Sequence, residues 1–272
     1  MYTKAAMREL GAGPDQLTTS QRDELDANGF FVVPDVLSAA DCAIMRDEFE
    51  RIHASERDQG GKEVHVEPGA RRISNIFNKT TAFDPCLWIP EVLAASSYLL
   101  GEIKVHGANL RDPVQGFGNQ DLHSDVPKKF PDDWWVVNSM IMFDDMTLQN
   151  GPTRVVPRSH LWTPINVPNV NIGDWEPAPL SPEDNQRLPA DLGAPYPGEI
   201  LVEASAGSAI ICWRQAEAAN CERCSLTSTG CNASSTRPIS TPSSPTPPAS
   251  LETRRCSCCT DRKSTRLNSS HG

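Results

Sequence analysis

The aromatic residues of this chain stop abruptly, and that break limits which part of the sequence can build a hydrophobic core. Every Trp, Tyr and Phe lies at or before Trp213, and the stretch from Gln215 to Gly272 also lacks Val and Met. Ser, Thr and Pro make up 25 of those 58 residues. Such a segment cannot bury enough apolar surface to offset the entropy cost of ordering it. We therefore predict a loose leader over residues 1–18, one folded domain over residues 19–214, and a disordered or artefactual tail over residues 215–272.

Two explanations of the tail remain open. In the first, the tail is a genuine extension that is disordered or binds zinc, because it holds six of the nine cysteines, including a Cys221–Cys224 pair at zinc-ligand spacing. In the second, which we prefer, the reading frame is lost after about Arg214. The final residues, 261–271, resemble the translation of a sequencing-library adapter. With suitable codons, a neighbouring frame from Thr227 onward restores aromatic residues.

Charge and hydropathy narrow the class of partner. The formal net charge of −10 argues against a nucleic-acid phosphate backbone. No apolar run approaches the roughly 18 residues of a membrane span, and the first residues lack the apolar stretch of a secretory signal. We therefore expect a cytoplasmic protein that acts on a small molecule and has no nucleic-acid or membrane partner.

Helical patterns come first along the chain and strand patterns follow. After Ser38, the residues Met45, Phe49 and Ile52 recur at the spacing of one buried helix face. Strand-like runs with turn residues between them follow later. The predicted helices cover residues 21–28, 38–52 and 90–100, and the predicted strands cover 30–33, 102–109, 134–143, 200–203 and 208–212. This order is typical of a mainly β protein, a jelly roll or barrel supported by helices.

The segment that carries chemistry is His123-Ser124-Asp125. Side chains two residues apart on an extended strand point to the same face. An imidazole and a carboxylate placed this way supply two ligands of a 2-His-1-carboxylate triad, which leaves open positions on non-haem Fe(II). We predict His123 and Asp125 to be catalytic metal ligands; the alternative is a histidine with an ordinary structural role.

Two other histidines compete for a place at the metal. His65-Val66-Glu67 offers the same ligand chemistry, but glycines and a proline flank it as they would a loop. His160 follows a Pro-Arg-Ser turn and lies only 35 residues after Asp125 in the sequence, so we favour a structural role for it.

Several segments resemble the phytanoyl-CoA dioxygenase family of Fe(II)- and 2-oxoglutarate-dependent oxygenases. The likeness covers roughly residues 19–213. Its main segments are residues 25–34, 120–125, 144–145, 150–157, 159–160 and 207–211. The resemblance implies a double-stranded β-helix (jelly roll, cupin-like), with the C-terminal strands missing or out of frame in this chain. It also implies that His123 and Asp125 bind Fe(II), and that 2-oxoglutarate and O2 take the remaining positions. Arg111, Asn138 and Thr153 are candidates for lining the co-substrate pocket.

The resemblance also exposes a gap in the site. The family has a second histidine shortly after the strand that contains residues 208–212, and an arginine further along; here the next histidine is His271. We therefore expect a dioxygenase that hydroxylates a small organic substrate, with turnover impaired in this exact chain. Two alternatives remain: a non-catalytic jelly-roll binding protein, and a cupin-type dioxygenase that does not use 2-oxoglutarate.

Overall fold

Two antiparallel sheets face each other, and helices cover the outer face of the larger one. This computed structural model describes residues 2–64, 66–126, 128–131, 133–167, 182–213, 217–218 and 225–229. The helices are α1 (Tyr2–Glu9), α2 (Thr19–Asn28), α3 (Ala39–Glu56), α4 (Pro90–Leu100) and α5 (Pro182–Arg187). The strands are β1 (Phe30–Val33), β2 (Ala70–Ile73), β3 (Gly107–Pro113), β4 (Val137–Met142), β5 (Thr153–Val155), β6 (Ile200–Val202), β7 (Ala209–Trp213), β8 (Glu217–Ala218) and β9 (Ser225–Thr229).

The strand order confirms the predicted jelly-roll class. The larger sheet has the order β1-β7-β4-β9-β3-β2, and the smaller sheet has the order β6-β5-β8. Neighbouring strands are antiparallel throughout. The two sheets do not close into a barrel within the described part of the chain. The fold is therefore a two-layer sandwich with helical support.

Two apolar layers follow from the alternation of side chains along the strands. On β4, Val137 and Ile141 belong to the outer core with α3, whereas Met140 and Met142 belong to the layer between the sheets. The outer core also contains Phe49, Phe83, Leu110, Phe143 and Ile211. The inner layer also contains Met146, Val155, Val202 and Ile210. Side chains on the inner face of the larger sheet thus point towards the smaller one.

The helix signals in the sequence are mostly confirmed. Ser38 caps α3 in a capping box, and Met45, Phe49 and Ile52 form its buried face. α4 begins at Pro90 and ends before Gly101, as predicted. α2 differs from the prediction at its start.

Thr18 caps α2, two residues before the position at which the predicted start of the helix would place a cap. The Thr18 hydroxyl accepts a hydrogen bond from the Gln21 backbone, and the Gln21 side chain accepts one from the Thr18 backbone. This reciprocal pair satisfies two exposed backbone donors at once. At the other end, Gly29 has a φ of 88° and terminates the helix, which agrees with the predicted end at residue 28.

The structure differs from the sequence expectation at both ends of the domain. The predicted leader contains α1, and Met7 and Leu17 are buried. At the other end, β8 and β9 lie beyond residue 214, and β9 pairs with both β3 and β4. Without β9, the facing edges of β3 and β4 would leave backbone N–H and C=O groups unpaired. Any non-proline backbone can supply those hydrogen bonds, so the apolar content of the segment does not decide whether it forms a strand. The remaining tail residues lie outside the described residues.

The predicted strand 102–109 is shifted in the structure. β3 covers Gly107–Pro113, because residues 102–106 are largely exposed after α4 and the buried positions begin at Ala108. The predicted strand 134–143 is shorter as well, and β4 begins only at Val137. Among the described residues, no helix combines the length and apolar character that crossing a lipid bilayer requires.

Candidate active site

The His123–Asp125 segment lies between β3 and β4 but outside the regular strands. The Leu122 backbone N–H donates to the Leu192 carbonyl at 3.1 Å, and the Ser124 backbone N–H donates to the Val167 carbonyl at 2.8 Å. The expected strand is therefore a short segment outside the regular sheets, held by hydrogen bonds to Leu192 and Val167. His123 is buried and Asp125 is partly buried.

The two predicted ligands face each other. The Nδ1 atom of His123 lies 2.8 Å from the carbonyl oxygen of Asp121, and its Nε2 atom lies 3.4 Å from Oδ1 of Asp125. Because a carbonyl oxygen can only accept a hydrogen bond, Nδ1 carries a proton in this contact, and Nε2 is the ring nitrogen that faces Asp125. A backbone hydrogen bond of this kind fixes the orientation of a metal-ligating imidazole.

The separation of the two atoms fits a shared metal ion. Two ligand atoms about 2.1 Å from a first-row metal, at a right angle, lie about 3 Å apart. The observed 3.4 Å between Nε2 of His123 and Oδ1 of Asp125 is close to that value. The donor set, one nitrogen and one carboxylate oxygen, suits Fe(II).

The described residues contain no complete metal site. No group of three or more His, Cys, Asp or Glu side chains in the described ranges is placed to hold a metal. Residues 214–216, which follow β7, are not described, and His65 of the rival pair also lies outside the described residues. The structure thus brings together two ligands of the predicted triad.

The contacts of His160 support the structural role predicted for it. His160 is buried, and its Nε2 atom lies 3.0 Å from the carbonyl oxygen of Asp26. Its ring packs against Trp134 with 6.4 Å between the ring centroids. Burial lowers the pKa of His160, and the nearby positive charge of Lys128 adds to this effect. A neutral imidazole therefore joins the end of α2 to the loop before β4.

Lys128 anchors the chain just after the predicted ligands, and sequence reasoning did not find it. Lys128 is buried; its Nζ atom donates to the His160 carbonyl at 2.8 Å and lies 3.4 Å from the centroid of the Trp134 ring. The Lys128 and Ile165 backbones also exchange two hydrogen bonds. This contact set holds the position of the segment that leaves Asp125. Lys128 follows Pro127 and precedes another lysine, a local pattern that carries no signal of burial.

The three candidates for the co-substrate pocket are all buried, at different places on the inner side of the fold. Asn138 and Arg111 lie on the inner faces of β4 and β3, near opposite ends of these strands, because β9 aligns Arg111 with Met142. The Thr153 hydroxyl contacts the sulfur atom of Met140 at 3.6 Å. The structure does not gather the three into one cluster, and their role at a co-substrate remains a prediction.

Arg111 belongs to a buried ionic cluster with Arg72 and Glu67. The Nε atom of Arg111 donates to both carboxylate oxygens of Glu67 at 2.9 Å, and Nη1 of Arg72 donates to Oε2 at 2.7 Å. Burial alone would raise the pKa of Glu67, but hydrogen bonds and charge from both arginines hold that pKa below its ordinary value. The Gln120 side chain also donates to Glu67, at 3.1 Å. Glu67, which the sequence offered as a rival metal ligand, is thus fully engaged with arginines.

The chain is similar to known proteins in both sequence and fold. The sequence matches the family Phytanoyl-CoA dioxygenase (PhyH) over residues 25–212. Two curated mycobacterial proteins, both uncharacterized, from Mycobacterium tuberculosis and Mycobacterium bovis, are 31% identical over 151 residues, which are 51% of this chain and 54% of each relative. The chain therefore spans about half the length of the curated relatives it matches.

Solved structures share the fold at low sequence identity. HygX from Streptomyces hygroscopicus with nickel and 2-oxoglutarate bound gives a TM-score of 0.58 at 16% identity, with 79% of this chain and 87% of that chain covered. The non-heme alpha ketoglutarate dependent carbocyclase SnoK from nogalamycin biosynthesis gives 0.58 at 17% identity, with 81% and 86% covered. The epimerase SnoN, in complex with Fe3+, alpha ketoglutarate and nogalamycin RO, gives 0.54 at 16% identity, with 84% of each chain covered. Because the family match spans residues 25–212, which is more than half of this chain, the chain belongs to the phytanoyl-CoA dioxygenase family.

Proposed function

We propose that this chain comes from an Fe(II)- and 2-oxoglutarate-dependent dioxygenase that uses O2 to hydroxylate a small organic substrate. The observation that carries the proposal is the facing pair of His123 and Asp125, 3.4 Å apart, inside a fold of the phytanoyl-CoA dioxygenase family. The use of iron and 2-oxoglutarate by structures of the same fold supports this choice of cofactors. It also favours the proposal over a binding protein or an oxygenase without 2-oxoglutarate.

The residues of the site have separate tasks in this proposal. His123 and Asp125 hold the metal, and the Asp121 carbonyl fixes the imidazole in the tautomer that can ligate. Lys128 holds the following loop against His160 and keeps the ligand segment in place. When bound, iron and 2-oxoglutarate supply the oxidising chemistry that no side chain provides.

We further propose that turnover is impaired in this exact chain. Two of the three ligands are assembled, and ligand number and geometry set the affinity of a metal site. A cytoplasmic location is part of the proposal. Among the described residues, Cys42 and Cys86 are buried thiols, which fits a reducing compartment.

A metal titration with a matched control tests the proposal. We expect Fe(II), or Ni(II) as an air-stable substitute, to bind the full chain weakly, and His123→Ala to abolish that binding. His106 is exposed and lies outside the strands, so His106→Ala serves as the control and should bind metal like the parent chain. Equal metal affinity in the parent and His123→Ala proteins would refute the assignment.

A second measurement addresses turnover. We expect little succinate from 2-oxoglutarate with this chain. A version that restores a histidine and a downstream arginine after Arg214 should bind metal more tightly and form succinate. Robust succinate formation by the unmodified chain would contradict the proposed impairment.

A further inference from the structure

Arg154 lies on the outer face of the smaller sheet and is nevertheless buried. It is the middle residue of β5, between Thr153 and Val155. Those two neighbours lie in the layer between the sheets, so strand alternation directs Arg154 to the opposite face. An arginine on an outer face ordinarily lies in solvent, but only 6% of Arg154 is exposed. It is covered by residues 191–199, which we call the covering segment.

Every N–H donor of the Arg154 guanidinium has an acceptor in the covering segment. Arginine carries five such donors in a planar fork. The Nε and Nη2 atoms donate to Oε2 of Glu199 at 3.1 and 2.8 Å. The Nη1 atom donates to the carbonyl oxygens of Leu192 and Gly193 at 3.3 and 3.2 Å. The second Nη2 proton goes to the Ala194 carbonyl at 2.5 Å. The backbone of the covering segment is thus folded around one guanidinium.

The charge of Arg154 is balanced within the same contact set. The side chains of Arg154 and Glu199 are 8% and 13% exposed, and Oε2 of Glu199 also accepts from the Tyr196 backbone N–H at 2.9 Å. A buried ion pair contributes little net stability, because removing two charges from water offsets much of their attraction. The pair therefore fixes the geometry of the covering segment more than it stabilises the fold.

The covering segment contacts the metal-binding segment at a single peptide group. The Leu122 N–H donates to the Leu192 carbonyl oxygen at 3.1 Å, and the same oxygen accepts from Arg154. The Leu122 N–H and the Asp121 carbonyl belong to one peptide group, which is planar. That carbonyl oxygen lies 2.8 Å from Nδ1 of His123. A continuous series of hydrogen bonds and one rigid peptide plane therefore joins Arg154 to the His123 imidazole.

Packing holds the two segments together at the same place. Leu192 and Tyr196 pack against the small core cluster that contains Leu122. A Cβ atom at Gly193 would lie only 2.9 Å from Oδ1 of Asp121, so the backbones of the two segments pass close to each other. A displacement of the covering segment would therefore turn the peptide group that faces the imidazole.

We propose that Arg154 is a positioning residue for the metal centre, which acts through the Leu192 carbonyl on the peptide group that orients His123. The inference rests on the proposed function, because it takes His123 to be a metal ligand. Groups that fix the orientation of a metal-ligating imidazole typically change metal affinity 10- to 100-fold when they are lost. A rigid fork of five donors suits this task, whereas a lysine ammonium supplies only a compact charge with three donors.

Arg154→Lys separates the geometry of the arginine from its charge. The variant keeps a positive charge beside Glu199, whereas Arg154→Met would leave that buried carboxylate without its partner. Gly207→Ala is the matched control. It should destabilise the fold by a clash with the Leu37 carbonyl oxygen, and its other backbone contact is with Met142, so it leaves the covering segment intact.

The first measurement is amide hydrogen exchange of the metal-free chains. The Leu122 amide is protected by the Leu192 carbonyl, and we expect it to exchange about tenfold faster in Arg154→Lys. The amides of β4, which report opening of the larger sheet, should change less in this variant. In Gly207→Ala, they should change at least as much as Leu122. Equal acceleration of Leu122 and β4 in Arg154→Lys, or a variant that does not fold, would show a role in stability alone and overturn the inference.

The second measurement is Ni(II) affinity, by calorimetry. We expect Arg154→Lys to bind Ni(II) about tenfold more weakly than the parent chain, and Gly207→Ala to bind it equally well at a temperature where both are folded. Undiminished Ni(II) affinity in Arg154→Lys would overturn the inference. Equal affinity in the parent and His123→Ala chains would instead overturn the proposed function and, with it, the role of Arg154 at a metal. The exchange experiment needs no metal, so it still reports whether Arg154 holds the His123 segment.

Discussion

Replacing Glu67 by glutamine should be among the most destabilising single changes in this fold. The substitution keeps the size of the side chain but removes the charge that Arg72, Arg111 and Gln120 contact at 2.7, 2.9 and 3.1 Å. It leaves two buried cations facing each other. Removing one partner of a buried ion pair costs about 3–5 kcal/mol. At 2–4 °C per kcal/mol for a domain of this size, the melting temperature should fall by roughly 6–20 °C.

The assay is thermal or urea unfolding of the parent, Glu67→Gln and Glu50→Gln chains at pH 7. Glu50 also pairs with an arginine, but its side chain is 62% exposed, so its removal should cost at most about 1 kcal/mol. The pKa of Glu67 is held low in the folded state, so its contribution is present at neutral pH and is lost as pH falls through that lowered pKa. The parent and Glu67→Gln curves should therefore converge in acid. A loss in Glu67→Gln no larger than that in Glu50→Gln would refute the reasoning.

Two further changes test the backbone and a buried imidazole. Gly207→Ala should lower the free energy of unfolding by about 2–4 kcal/mol, because its φ is +84° and a Cβ would overlap the Leu37 carbonyl oxygen. Gly101→Ala is the control: its φ is +75° but the space around it is open, so the loss should be only about 1–2 kcal/mol in the same urea unfolding experiment. Similar losses would show that the contact is easily relieved. For His160, burial lowers the pKa, so the unfolded chain takes up a proton before the folded chain does. The free energy of unfolding of the parent chain should therefore fall as the pH drops below about 6.5. His160→Gln has no imidazole to protonate, so its unfolding curves should show a smaller loss over the same pH range. An identical pH dependence in the two proteins would contradict this.

Features set by nearby residues were predictable from the sequence. The α3 capping box at Ser38 needs only contacts within one helix, and the helical spacing alone places Met45, Phe49 and Ile52 on one face; both are confirmed. The meeting of His123 and Asp125 follows from their two-residue spacing, which places them on one side even though the segment is not a regular strand. Local geometry alone decides all three features.

Features set by distant residues were not predictable in the same way. The sequence gives no sign of β2, because Ala70–Ile73 contains two adjacent arginines and follows a polar, Gly-rich loop. Without β2, the cross-strand meeting of Arg72 and Arg111 is invisible, and Glu67 looks like a possible metal ligand. Lys128 was missed for the same reason, since its partners His160 and Trp134 meet it only in the folded chain. Pairing between distant segments is the information that a local pattern lacks.

The placement of β9 has a consequence for how this protein folds. β9 lies between β3 and β4, and β1 pairs with β7, so the larger sheet joins segments from opposite ends of the domain. Such long-range pairing gives a high contact order, and proteins of this type fold in milliseconds to seconds. During synthesis, β3 and β4 emerge with open edges and wait for strands made much later. A ribosome-bound chain that ends before β7 therefore exposes the edges of β1, β3 and β4 that β7 and β9 later cover, which makes it a target for chaperones and prone to aggregation.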